Sequence, residues 1–197
     1  IAARHPEHWR RLVGTGVGWL LYDFVFYGTA LSQPAILDAV FGKSETMYQN
    51  CLQNILVTAM GLPGTICAIA MLQRMGSKRL QSWGFIAIAG ASAAFAVTMQ
   101  AAPDSTAASF ALTLLLMFVL NWGVNVSSYV LPTEVFPTAV RSSFFGLSAG
   151  LGKVGALLGG ATFAPLSEQK NGFTLARRRR RGPSLLHSPP LPRPTLP

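Results

Sequence analysis

Residues 107–131 read AASFALTLLLMFVLNWGVNVSSYVL and contain no charged side chain. A helix needs roughly 20 mostly apolar residues to cross about 30 Å of hydrocarbon, and this stretch is long enough to do so. In lipid each backbone amide must be hydrogen-bonded, either within a helix or between the strands of a closed barrel. The stretch lacks the strict alternation of polar and apolar residues that a barrel strand shows. The sequence therefore predicts a transmembrane helix at 107–131.

Four more apolar windows of similar length lie along the chain, and together they contain only two charged side chains. The five predicted spans are 12–34, 52–72, 82–102, 107–131 and 142–166. Half of the 197 residues are hydrophobic, 12% are charged, and the mean hydropathy is +0.39, which is far from the balance of a soluble domain. The predicted fold class is an all-α membrane protein, a transmembrane helical bundle, and the composition argues against a soluble enzyme.

Basic residues near the span ends indicate the orientation, because cytoplasmic loops carry an excess of Lys and Arg. Seven of them fall on one predicted side of the membrane: Arg4, Arg10, Arg11, Arg74, Lys78, Arg79 and Arg141. The opposite side carries Lys43 before the C-terminal segment is reached. We predict that the side with seven basic residues is cytoplasmic and that residues 1–11 are the end of a cytoplasmic linker.

The C-terminal segment 167–197 differs in composition from the rest of the chain. It is rich in arginine, proline and serine, which predicts a disordered tail, and removing its six arginines lowers the net charge from +9 to +3. The predicted orientation places this tail outside the cytoplasm, so we expect either an aberrant C-terminus or a segment that binds anionic lipid from the cytoplasm. No nucleic-acid partner is predicted. Only Arg177 to Arg181 would support a soluble nucleic-acid-binding protein, and such a protein would not contain five transmembrane spans.

Asp23 is the only carboxylate inside a predicted span. A carboxylate at that depth costs several kcal/mol and indicates a functional role by default. Trp19, Asp23 and Tyr27 follow at i, i+4 and i+8, so they form one stripe along a helix. The alternatives are that the two aromatic residues serve packing or the interfacial belt, and that Asp23 pairs with a cation such as Lys153.

Lys153 is the only cation inside a predicted span and lies in a stretch dense in glycine, residues 146–159. Small residues at four-residue spacing let a neighbouring helix approach closely, so we expect these glycines to serve helix packing. Lys153 itself either snorkels, pairs with an acid or contacts substrate. An acid and a cation in one site suit proton-coupled transport.

Two further features fall in the middle of spans. Asn121-Trp-Gly-Val-Asn125 supplies two amides that can bind an oxyanion, although an interhelical hydrogen bond is the favoured interpretation. Pro63 is expected to kink the second span.

Four stretches, taken together and in order, resemble the phosphate:proton symporters of the major facilitator superfamily, the plant and fungal phosphate permeases. Residues 14–28, GTGVGWLLYDFVFYG, are similar to their seventh span. Residues 74–85 resemble the basic loop between spans eight and nine, and residues 121–125 resemble the tenth span. Residues 131–143, followed by the glycine run, resemble the segment that enters span eleven.

The resemblance implies the C-terminal half of a facilitator fold, with phosphate and protons as substrates and no cofactor or metal. Transferred residue by residue, the implied phosphate-binding residues are Trp19, Asp23, Tyr27, Asn125 and Lys153. Asp23 would carry the proton. The implied cytoplasmic gating residues are Arg74, Lys78, Arg79, Gln81, Glu134 and Arg141. The other implied partners are the bilayer, which is expected to be the plasma membrane, and an N-terminal half.

The chain also departs from that family. It offers only spans seven to eleven of twelve and begins with Ile1, so we expect a fragment that is inactive alone, and Val124 stands where the family usually has proline. Two alternatives remain open. One is another facilitator carrier, of organic ions or sugars; the other is a membrane fragment that transports nothing.

Overall fold

The computed structural model describes residues 6–41, 46–101 and 106–180, and within these ranges the chain is helical with no strand. The all-α prediction is therefore confirmed. The helices are α1 (Pro6–Phe41), α2 (Met47–Ala59), α3 (Gly61–Met75), α4 (Ser77–Ala101), α5 (Thr106–Asn121), α6 (Val124–Val135) and α7 (Thr138–Arg180).

Four helical segments are long and apolar enough to cross a membrane, and they match the second to fifth predicted spans: Met47–Met75, Ser77–Thr98, Ala107–Val135 and Thr138–Phe163. The first predicted span, 12–34, lies inside α1, which is not among them. Polar residues lower the hydropathy of α1, and Thr15, Thr29 and Gln33 are all buried. They face the bundle, whereas the apolar side chains of Val17 and Leu21 on the same helix are exposed.

The second and fourth spans are each broken near the middle. The second breaks at Met60, between α2 and α3, as predicted from Pro63, whose missing N–H cannot bond the carbonyl of Ala59. The fourth breaks at Trp122 and Gly123, and Gly123 has φ +83°, a left-handed conformation that only glycine adopts readily. The motif at residues 121–125 therefore forms a break in the span.

The two breaks pack against each other and against α4. A Cβ on Gly61 would lie 2.7 Å from the Asn121 amide nitrogen, so the backbone of α3 touches the end of α5. A Cβ on Gly123 would lie 2.9 Å from the Cα of Gly84 on α4. Glycine at these positions lets three spans meet near one level of the bundle.

The most extensive helix–helix interface is between α1 and α7, and glycine lets the two backbones come close together. A Cβ on Gly155 would lie 2.1 Å from the carbonyl oxygen of Leu20, and a Cβ on Gly159 would lie 2.2 Å from that of Phe24. The interpretation of the glycine-dense stretch as a packing surface is confirmed at Gly152, Gly155 and Gly159, whereas a Cβ on Gly146 or Gly150 would have nothing within 4 Å.

The C-terminal part of α7 differs from the predicted disordered tail. The helix continues to Arg180, so residues 167–180 are helical, consistent with the good helix propensity of Leu, Ala and Arg. Residues 181–197 of that predicted tail lie outside the described residues.

Candidate functional site

The stripe predicted on α1 faces α7. Helix α1 is continuous through Trp19, Asp23 and Tyr27, and all three lie against the part of α7 that carries Gly152 and Lys153. We call Trp19, Asp23, Tyr27 and Lys153 the central cluster. Residues far apart in the chain are thus brought together by the glycine contact of the two helices.

Asp23 is buried, with 4% of its surface exposed. The Lys153 ammonium nitrogen lies 3.8 Å from Asp23 Oδ2, which is an ion pair but too long for a hydrogen bond. Asp23 Oδ2 has no hydrogen-bond partner. A buried acceptor left unbonded is costly, so this oxygen is suited to receive a proton or a donor group.

Lys153 reaches the cluster from its open side. Its side chain is 66% exposed, and Nζ donates a hydrogen bond of 3.2 Å to the Tyr27 hydroxyl. The same ammonium lies 5.1 Å from the centre of the Tyr27 ring, within range of a cation–π interaction. The ammonium is therefore oriented by Tyr27 and Asp23 while it stays open to an incoming anion.

Trp19 forms the wall of the central cluster that lies toward the N-terminal end of α1. It is 4% exposed, and its ring packs edge-on against Tyr129 of α6 at 4.8 Å and against Phe145 of α7 at 5.6 Å. A Cβ on Gly152 would lie 2.5 Å from the Trp19 ring. The sequence analysis missed Tyr129 and Phe145, since no local spacing links them to Trp19.

Asn125 lies on the helix that supplies Tyr129. The two residues are one helical turn apart on α6, so Asn125 shares the side of α6 that faces Trp19. Its amide donates to Asn121 Oδ1 at 3.1 Å, and the Asn121 amide donates to the Met117 carbonyl at 2.9 Å. These bonds stay within the broken span, which differs from the interhelical bond that the sequence favoured.

Tyr22 is a second residue that the sequence analysis missed. Its buried hydroxyl donates a 3.0 Å hydrogen bond to the carbonyl of Leu120, just before the break in the fourth span. A helix break leaves carbonyls without their usual partners, and in lipid each must be satisfied. Tyr22 therefore joins α1 to the broken span beside Asp23.

The gating residues predicted from the resemblance gather at one end of the bundle. Glu134 accepts a short hydrogen bond from the Ser77 hydroxyl, and Arg141 donates to the Phe136 carbonyl at 3.1 Å. Arg11 donates to the Val135 carbonyl at 2.8 Å. The three basic regions from which the membrane orientation was predicted therefore lie at the same end of the bundle. Arg4, which belongs to the first of them, lies outside the described residues.

Two cavities flank the site. An inner cavity of about 710 Å³ lies at the charged end between α1, α4 and α6, and its lining includes Arg11, Lys78, Gln81 and Glu134. An outer cavity of about 630 Å³ lies between α1, α2, α3 and α5 and carries the uncharged polar side chains Asn54, Thr58, Thr65 and Asn121. Of the predicted gating residues, Lys78, Gln81 and Glu134 line the inner cavity, whereas Arg74, Arg79 and Arg141 do not.

The central cluster offers the chemistry of binding and proton exchange. It combines an ammonium, a phenol, an indole and a carboxylate whose Oδ2 is ion-paired with that ammonium but accepts no hydrogen bond. Within the described ranges, no three His, Cys, Asp or Glu side chains are grouped to hold a metal ion. A monovalent or divalent anion that accepts hydrogen bonds suits this set of groups.

Comparison with known proteins gives a consistent picture. Residues 21–176 match the family described as Sugar (and other) transporter. The chain is 41% identical over 153 residues to the inorganic phosphate transporter PT2 of Toxoplasma gondii, an alignment that covers 78% of this chain. It is 33% identical over 166 residues to the repressible high-affinity phosphate permease of Neurospora crassa, covering 79% of this chain.

A similar match, 30% identical over 164 residues and 79% of this chain, is found with the inorganic phosphate transporter PHO84 of Saccharomyces cerevisiae. The chain spans 27% to 28% of the length of these three relatives. These matches confirm the predicted resemblance to phosphate transporters, and with the apolar helices they indicate a multi-pass integral membrane protein. The family match covers most of the chain, so we conclude that it belongs to the sugar (and other) transporter family of the major facilitator superfamily.

Proposed function

We propose that this half-bundle, joined to a first half, transports inorganic phosphate together with protons. The observation that carries the proposal is the buried Asp23 beside the open ammonium of Lys153, inside a bundle built to cross a membrane. Relatives named as inorganic phosphate transporters support phosphate as the substrate.

Phosphate would be held mainly by Lys153. The ammonium nitrogen already lies 3.2 Å from the Tyr27 hydroxyl, so both groups can reach one oxyanion. The indole of Trp19 and the amide of Asn125 would complete the binding site from the sides of α1 and α6. Hydrogen bonds to charged oxygens are about twice as strong as neutral ones, which favours a phosphate over an uncharged solute.

Proton coupling would arise because Asp23 and phosphate compete for the same ammonium. When Asp23 is ionised, its carboxylate attracts Lys153 across 3.8 Å. When Asp23 Oδ2 takes up a proton, that attraction ends and Lys153 is free to bind the anion. Release of the proton would restore the ion pair and expel phosphate, so one proton moves with each anion.

Movement between inward and outward states would be controlled at the charged end. Glu134 and Arg141 each bond a neighbouring group, Ser77 and Phe136, rather than each other. We propose that Arg74, Lys78, Arg79, Gln81, Glu134 and Arg141 belong to a cytoplasmic gate that exchanges such bonds as the two halves rock. The membrane that we propose for the complete carrier is the plasma membrane.

A sugar or organic-ion carrier is the second candidate, because the family description includes sugars. The central cluster distinguishes the two. A sugar site would gain little from the ammonium of Lys153 and the carboxylate of Asp23, whereas an anion–proton site needs both. Competition of unlabelled sugars, organic ions and phosphate against labelled phosphate would separate these substrates.

The test is Asp23→Asn in a complete transporter that contains this half-bundle, reconstituted in liposomes with an imposed proton gradient. We expect phosphate uptake driven by the gradient to be abolished while the protein is still inserted. Asp38→Asn is the matched control, since it makes the same change farther along α1, and it should retain uptake. Undiminished uptake in Asp23→Asn would remove Asp23 from the mechanism. We expect the 197-residue chain alone to show no flux.

A further inference from the structure

The inner cavity lies beside the first part of α1, where Arg11, Thr15 and Gly18 line it, and the central cluster begins one residue later at Trp19. The walls of the cavity come from α1, α4 and α6, whereas Asp23 and Tyr27 face α7. Arg11 precedes Asp23 on α1 by about 18 Å at 1.5 Å of rise per residue. We propose that this cavity is a second binding site, for a phosphate group that carries a hydroxyl, and that it is separate from the transport site.

Two cations on different helices line the inner cavity. Arg11 is fixed by its 2.8 Å hydrogen bond to the Val135 carbonyl, which leaves the other donors of the guanidinium for a ligand. Lys78 lies on the opposite wall, on α4. Guanidinium and ammonium groups converging on one space form the usual protein site for a phosphate.

Gln81 supplies an observation that points to a ligand. Its side chain is 8% exposed and lines the cavity, and the amide oxygen Oε1 is buried without a hydrogen-bond partner. The amide is held close to α1, where a Cβ on Gly18 would lie 2.7 Å from its nitrogen. A buried acceptor requires a hydrogen-bond donor. A partly protonated phosphate held between the two cations would supply that donor through its hydroxyl group.

The start of α4 strengthens the site. The helix begins at Ser77, and Lys78, Gln81 and Ser82 from its first turns line the cavity. Helix N-termini carry partial positive charge and favour anions. The start of α4, Lys78 and the Gln81 amide therefore act on the same space.

Glu134 selects among anions. Its carboxylate also lines the cavity and accepts the hydrogen bond of Ser77, so the formal charge of the lining is two cations against one anion. That balance favours a singly charged oxyanion over a more highly charged one. A phosphate with a hydroxyl meets the needs of Gln81 and Glu134 together, whereas sulfate, which carries no hydroxyl near neutral pH, does not.

The phosphate group can come from two sources. One is inorganic phosphate from solution, and the other is the headgroup of an anionic lipid with a free phosphate monoester, such as phosphatidic acid. Trp83 and Ile86 on α4 are exposed apolar side chains, each one residue after a residue that lines the cavity, Ser82 or Phe85. Both sources share the chemistry that Arg11, Lys78 and Gln81 recognise.

The test uses the purified chain with Lys153→Gln in the background, so that the transport site is disabled. Binding of inorganic phosphate and of sulfate is measured by calorimetry in detergent, and phosphatidic acid is compared with phosphatidylcholine by thermal shift in nanodiscs. We expect Lys78→Gln to weaken the phosphate or phosphatidic acid response about tenfold or more, as for loss of one charged hydrogen bond. Arg79→Gln also removes one positive charge, one residue along, but Arg79 does not line the cavity, so the response should change less than about twofold.

The outcomes are distinct. A phosphate response in detergent that depends on Lys78 supports a soluble phosphate ligand, and a Lys78-dependent response only with phosphatidic acid supports a lipid headgroup. The proposal is overturned if neither ligand responds, if Lys78→Gln and Arg79→Gln behave alike, or if sulfate binds as well as phosphate. The proposed transport function is tested separately by Asp23→Asn, so either idea can fail while the other survives.

Discussion

The central cluster and the inner cavity both combine an acidic side chain with a basic one, but the acidic side chain is buried only in the central cluster. In the central cluster the acid is buried, with Asp23 4% exposed, and the cation Lys153 is largely open. At the inner cavity the acid Glu134 is exposed and bonded by Ser77. The cost of an unpaired charge grows as water is removed, so we expect proton exchange at the acid to affect ligand binding at the central cluster and not at the inner cavity.

The two regions are also stabilised by different kinds of contact. The central cluster depends on the α1–α7 interface, where glycine brings backbones into contact, while the inner cavity depends on hydrogen bonds between helix ends, from Arg11 to Val135 and from Ser77 to Glu134. Close packing tolerates no added atoms, but a hydrogen bond at an exposed end can be replaced by water. We therefore expect mutations in the α1–α7 interface to have larger effects on stability than mutations around the inner cavity.

The largest effect should come from Gly155→Leu. A Cβ there would lie 2.1 Å from the Leu20 carbonyl oxygen, so the helices must separate, at a cost of about 3 kcal/mol or more. The thermal midpoint of the purified chain in detergent should fall sharply. Gly150→Ala is the control, because nothing lies within 4 Å of its Cβ, and its midpoint should stay the same or rise slightly. Equal midpoints in the two variants would show that the glycine contact does not hold α7 against α1.

An intermediate effect should follow from Lys153→Gln, which leaves the buried Asp23 carboxylate without its cation. We expect a loss of about 1 to 2 kcal/mol in stability, less than for a fully buried pair because Lys153 is 66% exposed. Adding Asp23→Asn should restore the thermal midpoint, since the uncompensated charge is gone. Lys78→Gln should leave the midpoint nearly unchanged. A double variant no more stable than Lys153→Gln alone would mean that the two residues are not coupled.

The smallest effect should come from Tyr22→Phe. It removes the hydroxyl that satisfies the Leu120 carbonyl at the break of the fourth span, at a cost of about 1 kcal/mol. The midpoint should fall slightly, and hydrogen exchange of the amides next to the break should increase. Tyr48→Phe, at a tyrosine that is 75% exposed, is the control and should change neither. Unaltered exchange at the break would show that Tyr22 does not stabilise it.

Much of the fold could be predicted because it depends on local pattern. Apolar windows of sufficient length predicted the second to fifth spans, and Pro63 predicted a kink in the second span, which the structure has as the break at Met60, because a missing N–H acts within one turn. The spacing of Trp19, Asp23 and Tyr27 predicted one stripe, because helical periodicity fixes which residues share a face.

The rest of the candidate site could not be predicted in the same way. The sequence proposed Lys153 as a partner of Asp23 because few intramembrane charges exist, but the packing of Tyr129 and Phe145 on Trp19 had no local signal. The bond from Tyr22 to Leu120 was missed because the break at Gly123 was not foreseen.

The sequence by itself determined that this chain enters a membrane as helices, where the long apolar windows lie, and which side chains share the face of α1. These properties follow from the solvent and from the period of one helix. Only the tertiary structure decided that Lys153 stands 3.8 Å from Asp23, that Gln81 is buried with an unbonded oxygen, and that Gly155 touches Leu20. Those facts depend on how separate helices approach one another, and that approach is set by the packing of residues far apart in the chain.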